Sequence, residues 1–420
     1  MPRNQLVAGQ AASGGFAGSV GRWDRRTDPN LGSSQMTWQH DLGLPDVDTD
    51  PVLVIGAGPA GLAAAAALTR RGVPVRVVEQ ADAVGAAWRA HYDRLHLHTV
   101  RWGSQLPGYK IPRRYGPWVS REHLVEYLDE YARANRLRIQ TRVHVSRLDR
   151  ANGHWVARSP RGDLMATTVV VATGYNHTPD LPDWPGRETF RGELIHASQY
   201  RNATAYRGKD VLVVGSGNTG AEIAIDLVEG SAARVRLSVR TVPTIIRRAL
   251  GPIPTQATAI LFRRLPPRLV DHLIALTSRL TTPDLTRHGL PRPTEGVYTR
   301  LLADGHIPIV DVGLIDLIQA GKVEIVPAVT GFDEADVLLA DAAPIRPDVV
   351  IAATGYTRDL EHLVGHLGVL DHRGQPTIHA AQSHPAAPNL YFTGFTTPIS
   401  GMLRELNIDA RKIAKVVSTR

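Results

Sequence analysis

The stretch "PVLVIGAGPAGLAAAAALTRRGVPVRVVEQ", residues 51–80, decides the fold. Residues 52–55 form a short apolar run that is typical of a buried strand, and a glycine-rich turn follows it. An alanine-rich segment then predicts a helix, and "VPVRVVEQ" predicts a second strand. A strand, a helix and a strand within about thirty residues make one β-α-β unit of a parallel sheet.

Three glycines occupy the junction between this strand and this helix, at Gly56, Gly58 and Gly61. In such a motif the first glycine permits the tight turn, the second lets a pyrophosphate approach the backbone, and the third allows the helix to pack on the strand. Pro59 and Ala60 complete the loop, where helix N–H groups can bind phosphate. Glu79 ends the second strand, where a carboxylate accepts hydrogen bonds from ribose hydroxyls. The unit therefore predicts a site for FAD or NAD.

The same pattern returns in "KDVLVVGSGNTGAEIAIDLVEGSAARVRLSVRT", residues 209–241. At the position of Glu79 this second unit carries Arg240, whose guanidinium can bind a 2′-phosphate through two hydrogen bonds. The second site is therefore predicted to bind NADPH. Its predicted contacts are Gly215, Ser216, Gly217, Asn218, Thr219 and Gly220.

Two apolar segments end in the same four letters, "VVVATGY" at 169–175 and "VVIAATGY" at 349–356. Further on, residues 389–395 predict a strand, and "LRELNIDARKIAKVV" predicts a terminal helix. Together these features predict an α/β protein with two Rossmann-like dinucleotide-binding domains. The expected boundaries are a flexible N-terminal extension at 1–49, an FAD domain at 50–205 and 340–420, and an NADPH domain inserted at 206–339.

Composition excludes several classes of function. The chain of 420 residues has no cysteine, so disulfides, thiolate metal sites and a redox cysteine pair are excluded. The net charge of +8 comes from scattered arginines without a basic run, so we expect anionic cofactors and no nucleic acid as partner. No apolar run reaches the roughly 18 residues of a membrane span. We expect a cytoplasmic protein without a signal peptide or a metal site, and a homodimer is compatible with these features.

The segment "FRGELIHASQY", residues 190–200, lies between the first ATGY strand and the second glycine loop. Its Phe190, Gly192, His196 and Tyr200 match the F-x-G-x-x-x-H-x-x-x-(Y/F/W) fingerprint of class B flavoprotein monooxygenases. The chain is similar to the YUCCA-type members of that family over about residues 51–418. "YDRLHLHTVRWGSQLPGY" (92–109), residues 305–327 and "LYFTGFTTPISGMLRELNIDARKIA" carry this resemblance.

The resemblance implies a chemistry. NADPH reduces FAD, and the reduced flavin reacts with O₂ to give a C4a-(hydro)peroxyflavin that oxygenates a small-molecule substrate. A carbonyl substrate such as an aryl 2-oxo acid is expected, with oxidative decarboxylation. N- or S-oxygenation, Baeyer–Villiger oxidation and an NADPH oxidase without oxygen transfer stay open, as does a non-enzymatic nucleotide sensor.

The resemblance also implies site residues. His196 and Tyr200 are expected to govern the interdomain contact and the nicotinamide pose. His98, Arg101 and Trp102 are candidates for the substrate side, where His98 and Arg101 could hold the carboxylate of a 2-oxo acid. Residues 242–290 predict amphipathic helices broken at Pro266–Pro267, with a lid over an apolar pocket favoured over a dimer face or a membrane-surface helix. Further contacts to the cofactors are expected from Trp88, Thr354, Gly355 and Gly394, within a segment 393–396 that approaches the flavin.

Overall fold

The computed structural model describes residues 50–262, 265–305 and 307–419, so the expected extension at 1–49 lies outside the described residues. The strands are β1 (Val52–Ile55), β2 (Val75–Val78), β3 (Ile139–Gln140), β4 (Arg147–Ala151), β5 (His154–Arg158), β6 (Leu164–Ala166), β7 (Val169–Val171), β8 (Thr178–Pro179), β9 (Glu193–His196), β10 (Asp210–Val214), β11 (Arg234–Ser238), β12 (Ile245–Arg247), β13 (Ala249–Leu250), β14 (Ile253–Pro254), β15 (Ile309–Asp311), β16 (Glu324–Val326), β17 (Val329–Asp333), β18 (Asp336–Leu339), β19 (Ala342–Ile345), β20 (Val349–Ala352), β21 (Tyr356–Thr357) and β22 (Leu390–Phe392). The helices are α1 (Pro59–Thr69), α2 (Ala86–Ala90), α3 (Arg121–Ala134), α4 (Asn218–Glu229), α5 (Thr255–Phe262), α6 (Pro267–Thr281), α7 (Val297–Asp304), α8 (Leu314–Gln319), α9 (Glu361–Val364) and α10 (Met402–Val417).

The first sheet is parallel, with strand order β22-β7-β1-β2-β3. Val54 at its centre pairs with Val77 on one side and with Val170 on the other, and all three are fully buried. The alanines of α1 are also buried, because their small side chains let α10 pack closely against this helix. The predicted terminal helix and the strand after residue 389 are confirmed as α10 and β22.

The second sheet is also parallel, with strand order β16-β11-β10-β20-β9. Its central strand β10 lies between β11 and β20, as β1 lies between β2 and β7 in the first sheet. The two ATGY segments therefore occupy equivalent places, each beside the strand that enters its glycine loop. The predicted fold class, two Rossmann-like units in one α/β chain, is confirmed.

The expected domain boundaries disagree with the membership of the sheets. Strand β9 was expected in the first FAD segment and β20 in the second, but both strands pair within the second sheet. The antiparallel sheet β17-β18-β19 also crosses the expected boundary at 339/340. Strand β20 reads as a buried apolar run that suits either sheet, so its letters do not reveal which neighbour it joins. Strand β9, with Glu193 and His196 at its ends, carries no clear strand pattern.

The segment from β12 to α7 departs from the α-β alternation. Helix α6 begins at Pro267, with Pro266 at its N-cap, where the sequence predicted the break between helices. The segment also contains strands that the sequence did not predict: β12 pairs with β15 through Ile245 and Ile309, and β13 pairs with β14. Among the described residues no helix is long and apolar enough to cross a membrane.

Candidate functional site

The first glycine loop lies at the carboxyl end of β1. Gly56 has φ +106°, and a Cβ there would lie 2.5 Å from the carbonyl oxygen of Ala172. A Cβ at Gly61 would lie 1.8 Å from the carbonyl oxygen of Gly56. By contrast, nothing lies within 4 Å of a Cβ built at Gly58, which has ordinary extended backbone. Gly56 and Gly61 are thus required by the fold, whereas Gly58 leaves open space at the start of α1, where a pyrophosphate fits.

Glu79 follows β2 directly and is almost fully buried. Its Oε2 accepts a hydrogen bond from Ala57 N at 2.7 Å, and its Oε1 accepts one from Ala81 N at 2.9 Å. The carboxylate therefore holds the glycine loop in place. Because a carboxylate offers about four lone-pair positions, it can still accept bonds from ribose hydroxyls.

The turn after β22 reaches the same end of the sheet. Gly394 has φ +90°, and a Cβ there would lie 3.0 Å from the Cβ of Ala60 at the start of α1. The hydroxyls of Thr393 and Tyr391 are buried and have no hydrogen-bond partner among the described residues. Trp88 lies half-buried on the short helix α2. Buried hydroxyls beside an open glycine loop suit a polar cofactor, so the residues fit FAD.

The second glycine loop repeats the geometry of the first. A Cβ at Gly215 would lie 2.4 Å from the carbonyl oxygen of Ala353, and one at Gly220 would lie 1.9 Å from that of Gly215. Gly217 has extended backbone and nothing within 4 Å of its Cβ position. The N-terminus of α4 thus offers the same open space for a second pyrophosphate.

The polar side chains near Gly217 differ in whether they are already bonded within the protein. The side-chain amide of Asn218 donates to Pro308 O at 3.1 Å and accepts from Val310 N at 2.7 Å, so it anchors β15 and leaves only its backbone for a phosphate. The Ser216 hydroxyl donates to Thr241 O at 3.3 Å. Arg240 is exposed just beyond the end of β11, and within the described part of the chain it forms no ion pair. A guanidinium placed so fits the 2′-phosphate of NADPH.

The fingerprint segment is explained by packing at the edge of the second sheet. The ring of Phe190 lies 4.8 Å from that of Phe332, measured between centroids. A Cβ at Gly192 would lie 2.4 Å from the Phe190 ring, so glycine makes room for that ring. The first half of the fingerprint therefore packs against strand β17 of the antiparallel sheet β17-β18-β19.

His196 and Tyr200, the second half of the fingerprint, bond to the second glycine unit. Nδ1 of His196 accepts from Ser198 N at 3.1 Å, so Nε2 carries the proton and donates to Gly355 O at 3.0 Å. Burial lowers the pKa of His196. The Tyr200 hydroxyl donates to Asp226 on α4 at 2.6 Å. Both residues were expected to act at the interdomain contact and on the nicotinamide pose, and the structure gives them bonds that hold the loop after β20 and helix α4.

The side chain of Thr354, next to Gly355, also forms a hydrogen bond within the protein. Its hydroxyl donates to the carbonyl oxygen of Asp180, and Gly355 O also accepts from Asp180 N at 3.0 Å. Gly355 itself has φ +95° and open space at its Cβ position. The turn after β20 is therefore held by two hydrogen bonds to Asp180, and Gly355 leaves open space beside it.

The segment 92–98 crosses from the first unit to α4. His98 Nε2 lies 2.6 Å from Oε1 of Glu222, although the two are not aligned as a hydrogen bond, so the contact is electrostatic. Arg94 pairs with Glu229 at 2.8 Å. The Tyr92 hydroxyl bonds to Glu222 and Thr219, and burial raises the pKa of Tyr92. Acidic side chains on successive turns of α4 thus hold the two units together.

Tyr92 and Glu222 were not among the predicted site residues. Glu222 is 3% exposed although it stands in the apolar pattern "AEIAIDL". An acid among buried helix positions is unfavourable unless it is paired, and this was the signal available in the sequence. Tyr92 carried no comparable signal, because its partners are distant in the chain.

A cavity of about 360 Å³ opens beside this contact. Its lining consists of Arg94, His96, His98, Pro117, Trp118, Glu222, Arg248 and Val312. The guanidinium of Arg248 lies over the Trp118 ring, 4.6 Å from its centroid. Neither Trp118 nor Arg248 was predicted, since both lie in loops without a motif.

Of the three residues predicted for the substrate side, only His98 lines this cavity. Arg101 is absent from the lining, and its Nη1 donates to Ile111 O at 3.2 Å within its own segment. Trp102 is 53% exposed and is also absent from the lining. Across the described residues no group of His, Asp and Glu is arranged to hold a metal ion.

Comparison with known proteins agrees with this geometry. The family model for pyridine nucleotide-disulphide oxidoreductases matches residues 53–248. A flavin-containing monooxygenase from Stenotrophomonas maltophilia superposes with a TM-score of 0.66 at 22% identity, covering 88% of this chain and 99% of that one. At that identity the likeness concerns the fold alone.

Sequence relatives are more specific. The chain is 35% identical to indole-3-pyruvate monooxygenase YUCCA1 of Oryza sativa subsp. japonica over 368 residues, which is 86% of this chain and 90% of the relative. It is 34% identical to probable indole-3-pyruvate monooxygenase YUCCA9 of Arabidopsis thaliana, over 86% of this chain and 87% of the relative. With two glycine loops that fit FAD and NADPH and no cysteine for disulfide chemistry, the chain belongs to the YUCCA family of flavin monooxygenases, the FAD- and NADPH-dependent oxidoreductases.

Proposed function

We propose that this monooxygenase acts on an aryl-substituted 2-oxo acid, with indole-3-pyruvate as the leading candidate. The reaction is R–CO–COOH + O₂ + NADPH + H⁺ → R–COOH + CO₂ + NADP⁺ + H₂O. The bond between the two carbonyl carbons breaks, and one oxygen atom enters the new acid while the other leaves as water. The observation that carries the proposal is a cavity with cationic and aromatic lining in a chain whose relatives are named indole-3-pyruvate monooxygenases.

The two glycine loops divide the cofactors between them. FAD is held by Gly56, Gly58, Gly61 and Glu79, and NADPH by Gly215, Gly217, Gly220 and Arg240. Bound FAD, reduced by NADPH, supplies the activation of O₂. The protein positions the cofactors and the substrate, and it excludes water.

His98 acts on the substrate in this proposal. Its ring lines the cavity and lies 2.6 Å from the buried carboxylate of Glu222. Its Nδ1 has no hydrogen-bond partner among the described residues. A ring N–H at this place can donate to the substrate carbonyl oxygen, on which negative charge develops during attack.

The helices of segment 242–290 close the site as a lid. Gln256 on α5 is buried and bonds to two segments of the first unit. Its Oε1 accepts from Val100 N at 2.8 Å, beside His98 in the chain, and its Nε2 donates to Ser400 O at 2.7 Å, just before α10. These bonds fix α5 to the segment after His98 and to the turn before α10.

The test supplies the holoenzyme with NADPH and ¹⁸O₂ and compares indole-3-pyruvate, phenylpyruvate, a cyclic ketone and a methyl sulfide. We expect the acid one carbon shorter, with one ¹⁸O atom and one NADPH consumed per product. Coupled formation of a sulfoxide or a lactone, without decarboxylation, would contradict the proposed substrate. Hydrogen peroxide as the sole product with every substrate would instead indicate an NADPH oxidase.

A further inference from the structure

One arginine of the cavity makes no direct ion pair among the described residues. Arg248 follows β12 and is half-buried, and within residues 50–262, 265–305 and 307–419 it forms no ion pair. The other charged groups of the lining are matched: Arg94 pairs with Glu229 and Asp226, and His98 with Glu222. Glu222 of the same lining attracts Arg248 electrostatically but forms no ion pair with it, so an anion in the cavity can pair with this guanidinium.

The surroundings of Arg248 stabilise the charge but do not neutralise it. Its guanidinium stacks on Trp118, and a cation over an indole face is favoured by about 0.5–2 kcal/mol. Burial lowers the pKa of Arg248, yet arginine remains charged at neutral pH. A partly desolvated guanidinium gains most from an anion that accepts two hydrogen bonds, and a carboxylate has that geometry.

The cavity also has an apolar side. Pro117, Trp118 and Val312 contribute apolar surface to its lining. Its volume of about 360 Å³ lies within the roughly 300–1,000 Å³ of small-molecule sites. It can therefore hold an aromatic ring together with a carboxylate.

We propose that Arg248 binds the carboxylate of the substrate, with Trp118 fixing both the guanidinium and the aryl group, so that the pair selects aryl-substituted acids over neutral carbonyl compounds. This inference rests on the proposed function and replaces Arg101, whose guanidinium faces Ile111 O, as the anchor of the carboxylate. His98 is then free to act on the carbonyl group.

The first experiment measures binding without turnover. Titration calorimetry on the FAD-loaded enzyme compares 3-phenylpropanoate with its neutral amide. We expect Arg248→Met to weaken binding of the carboxylate roughly ten- to hundredfold, which is the value of a charge-assisted bond, and to leave the amide unchanged. Arg268→Met, which removes an exposed arginine of α6, is the matched control and should change neither affinity.

The second experiment measures turnover. Arg248→Met should raise KM for the 2-oxo acid, with the rate of flavin reduction by NADPH unchanged, and Arg248→Lys should recover part of the affinity. Added guanidinium ion should partly restore the Arg248→Ala variant, which a merely structural role would not explain. Flavin content and Tm confirm that each variant is folded.

The outcomes separate the two proposals. If the wild type decarboxylates no 2-oxo acid but binds 3-phenylpropanoate through Arg248, the proposed function fails and the anchor stands. Unchanged carboxylate affinity in Arg248→Met would overturn the anchor, as would an equal loss with the amide. A rise in KM for NADPH alone would assign Arg248 to the nicotinamide cofactor and overturn it too.

Discussion

His196 donates a hydrogen bond from Nε2 to the carbonyl oxygen of Gly355 at 3.0 Å, joining the ends of neighbouring strands β9 and β20. Gly355 belongs to the turn that packs against the second glycine loop, because Gly215 lies against Ala353 in the same turn. The fingerprint histidine thus holds the turn against which the second glycine loop packs. This support accounts for its position in the chain, between the first ATGY strand and the second β-α-β unit.

We therefore expect His196→Ala to slow reduction of the flavin by NADPH, or to raise the fraction of NADPH lost as hydrogen peroxide, while FAD stays bound. His196→Gln should retain much of the rate, since its side-chain amide can donate in place of Nε2. Stopped-flow reduction and a peroxide assay give the two quantities. If both are unchanged in His196→Ala, the hydrogen bond has no influence on the cofactor.

The pH dependence of stability follows from buried histidines. Burial lowers the pKa of His91, His177 and His196 from the ordinary value of 6.5. Their neutral forms are favoured in the folded state, so their contribution to stability is complete above pH 6.5 and is lost as the pH falls towards the lowered folded-state values. We expect Tm to fall on acidification below that pH, and to fall less steeply in His196→Gln. A Tm independent of pH between about 5 and 8 would contradict this.

The glycines of each loop should separate into two kinds. Gly58→Val and Gly217→Val meet no atom within 4 Å and have extended backbone, so we expect both proteins to fold. The first should lack flavin absorbance, and the second should bind FAD but no NADPH. Gly61→Ala meets the Gly56 carbonyl at 1.8 Å, so we expect it to be destabilised by at least roughly 1–3 kcal/mol. Normal flavin content in Gly58→Val would refute the first site.

Arg240 should set the choice between the two nicotinamide cofactors. A charge-assisted bond to the 2′-phosphate contributes about 1.5–3 kcal/mol, so Arg240→Ala should lower kcat/KM for NADPH roughly ten- to hundredfold and leave NADH nearly unchanged. Arg234→Ala is the control, because Arg234 at the start of β11 pairs with Glu324 at 2.6 Å. Equal losses with both cofactors would assign Arg240 another role.

The contact between segment 92–98 and α4 should contribute to stability. Tyr92→Phe removes the hydroxyl that bonds to Glu222 and Thr219, and it leaves a buried carboxylate short of a donor. We expect a loss of about 1–3 kcal/mol in the free energy of unfolding. Tyr109→Phe is the control, since the Tyr109 hydroxyl donates to the less buried Glu130 at 3.3 Å. A larger loss in Tyr109→Phe would argue against this contact.

The sequence by itself determined the features that depend on neighbouring residues. The two glycine loops, the acid at Glu79 and the arginine at Arg240 follow from local spacing, because a strand, a tight turn and a helix N-terminus form within about thirty residues. The fingerprint from Phe190 to Tyr200 was recognised by its spacing along the chain. Its side chains contact distant residues, since His196 bonds to Gly355 and Tyr200 to Asp226.

Tertiary structure decided what depends on pairing between distant segments. Strands β9 and β20 join the second sheet, although the apolar letters of β20 suit either sheet and β9 begins with Glu193 and ends with His196. The cavity brings together Trp118, Glu222 and Arg248 from three separate parts of the chain. The sequence singled out Arg101 for the substrate side, but its guanidinium donates to Ile111 O, whereas Arg248, which no motif marked, lines the cavity. The orientation of a long side chain is set by the atoms packed around it, and those atoms come from residues far away in the sequence.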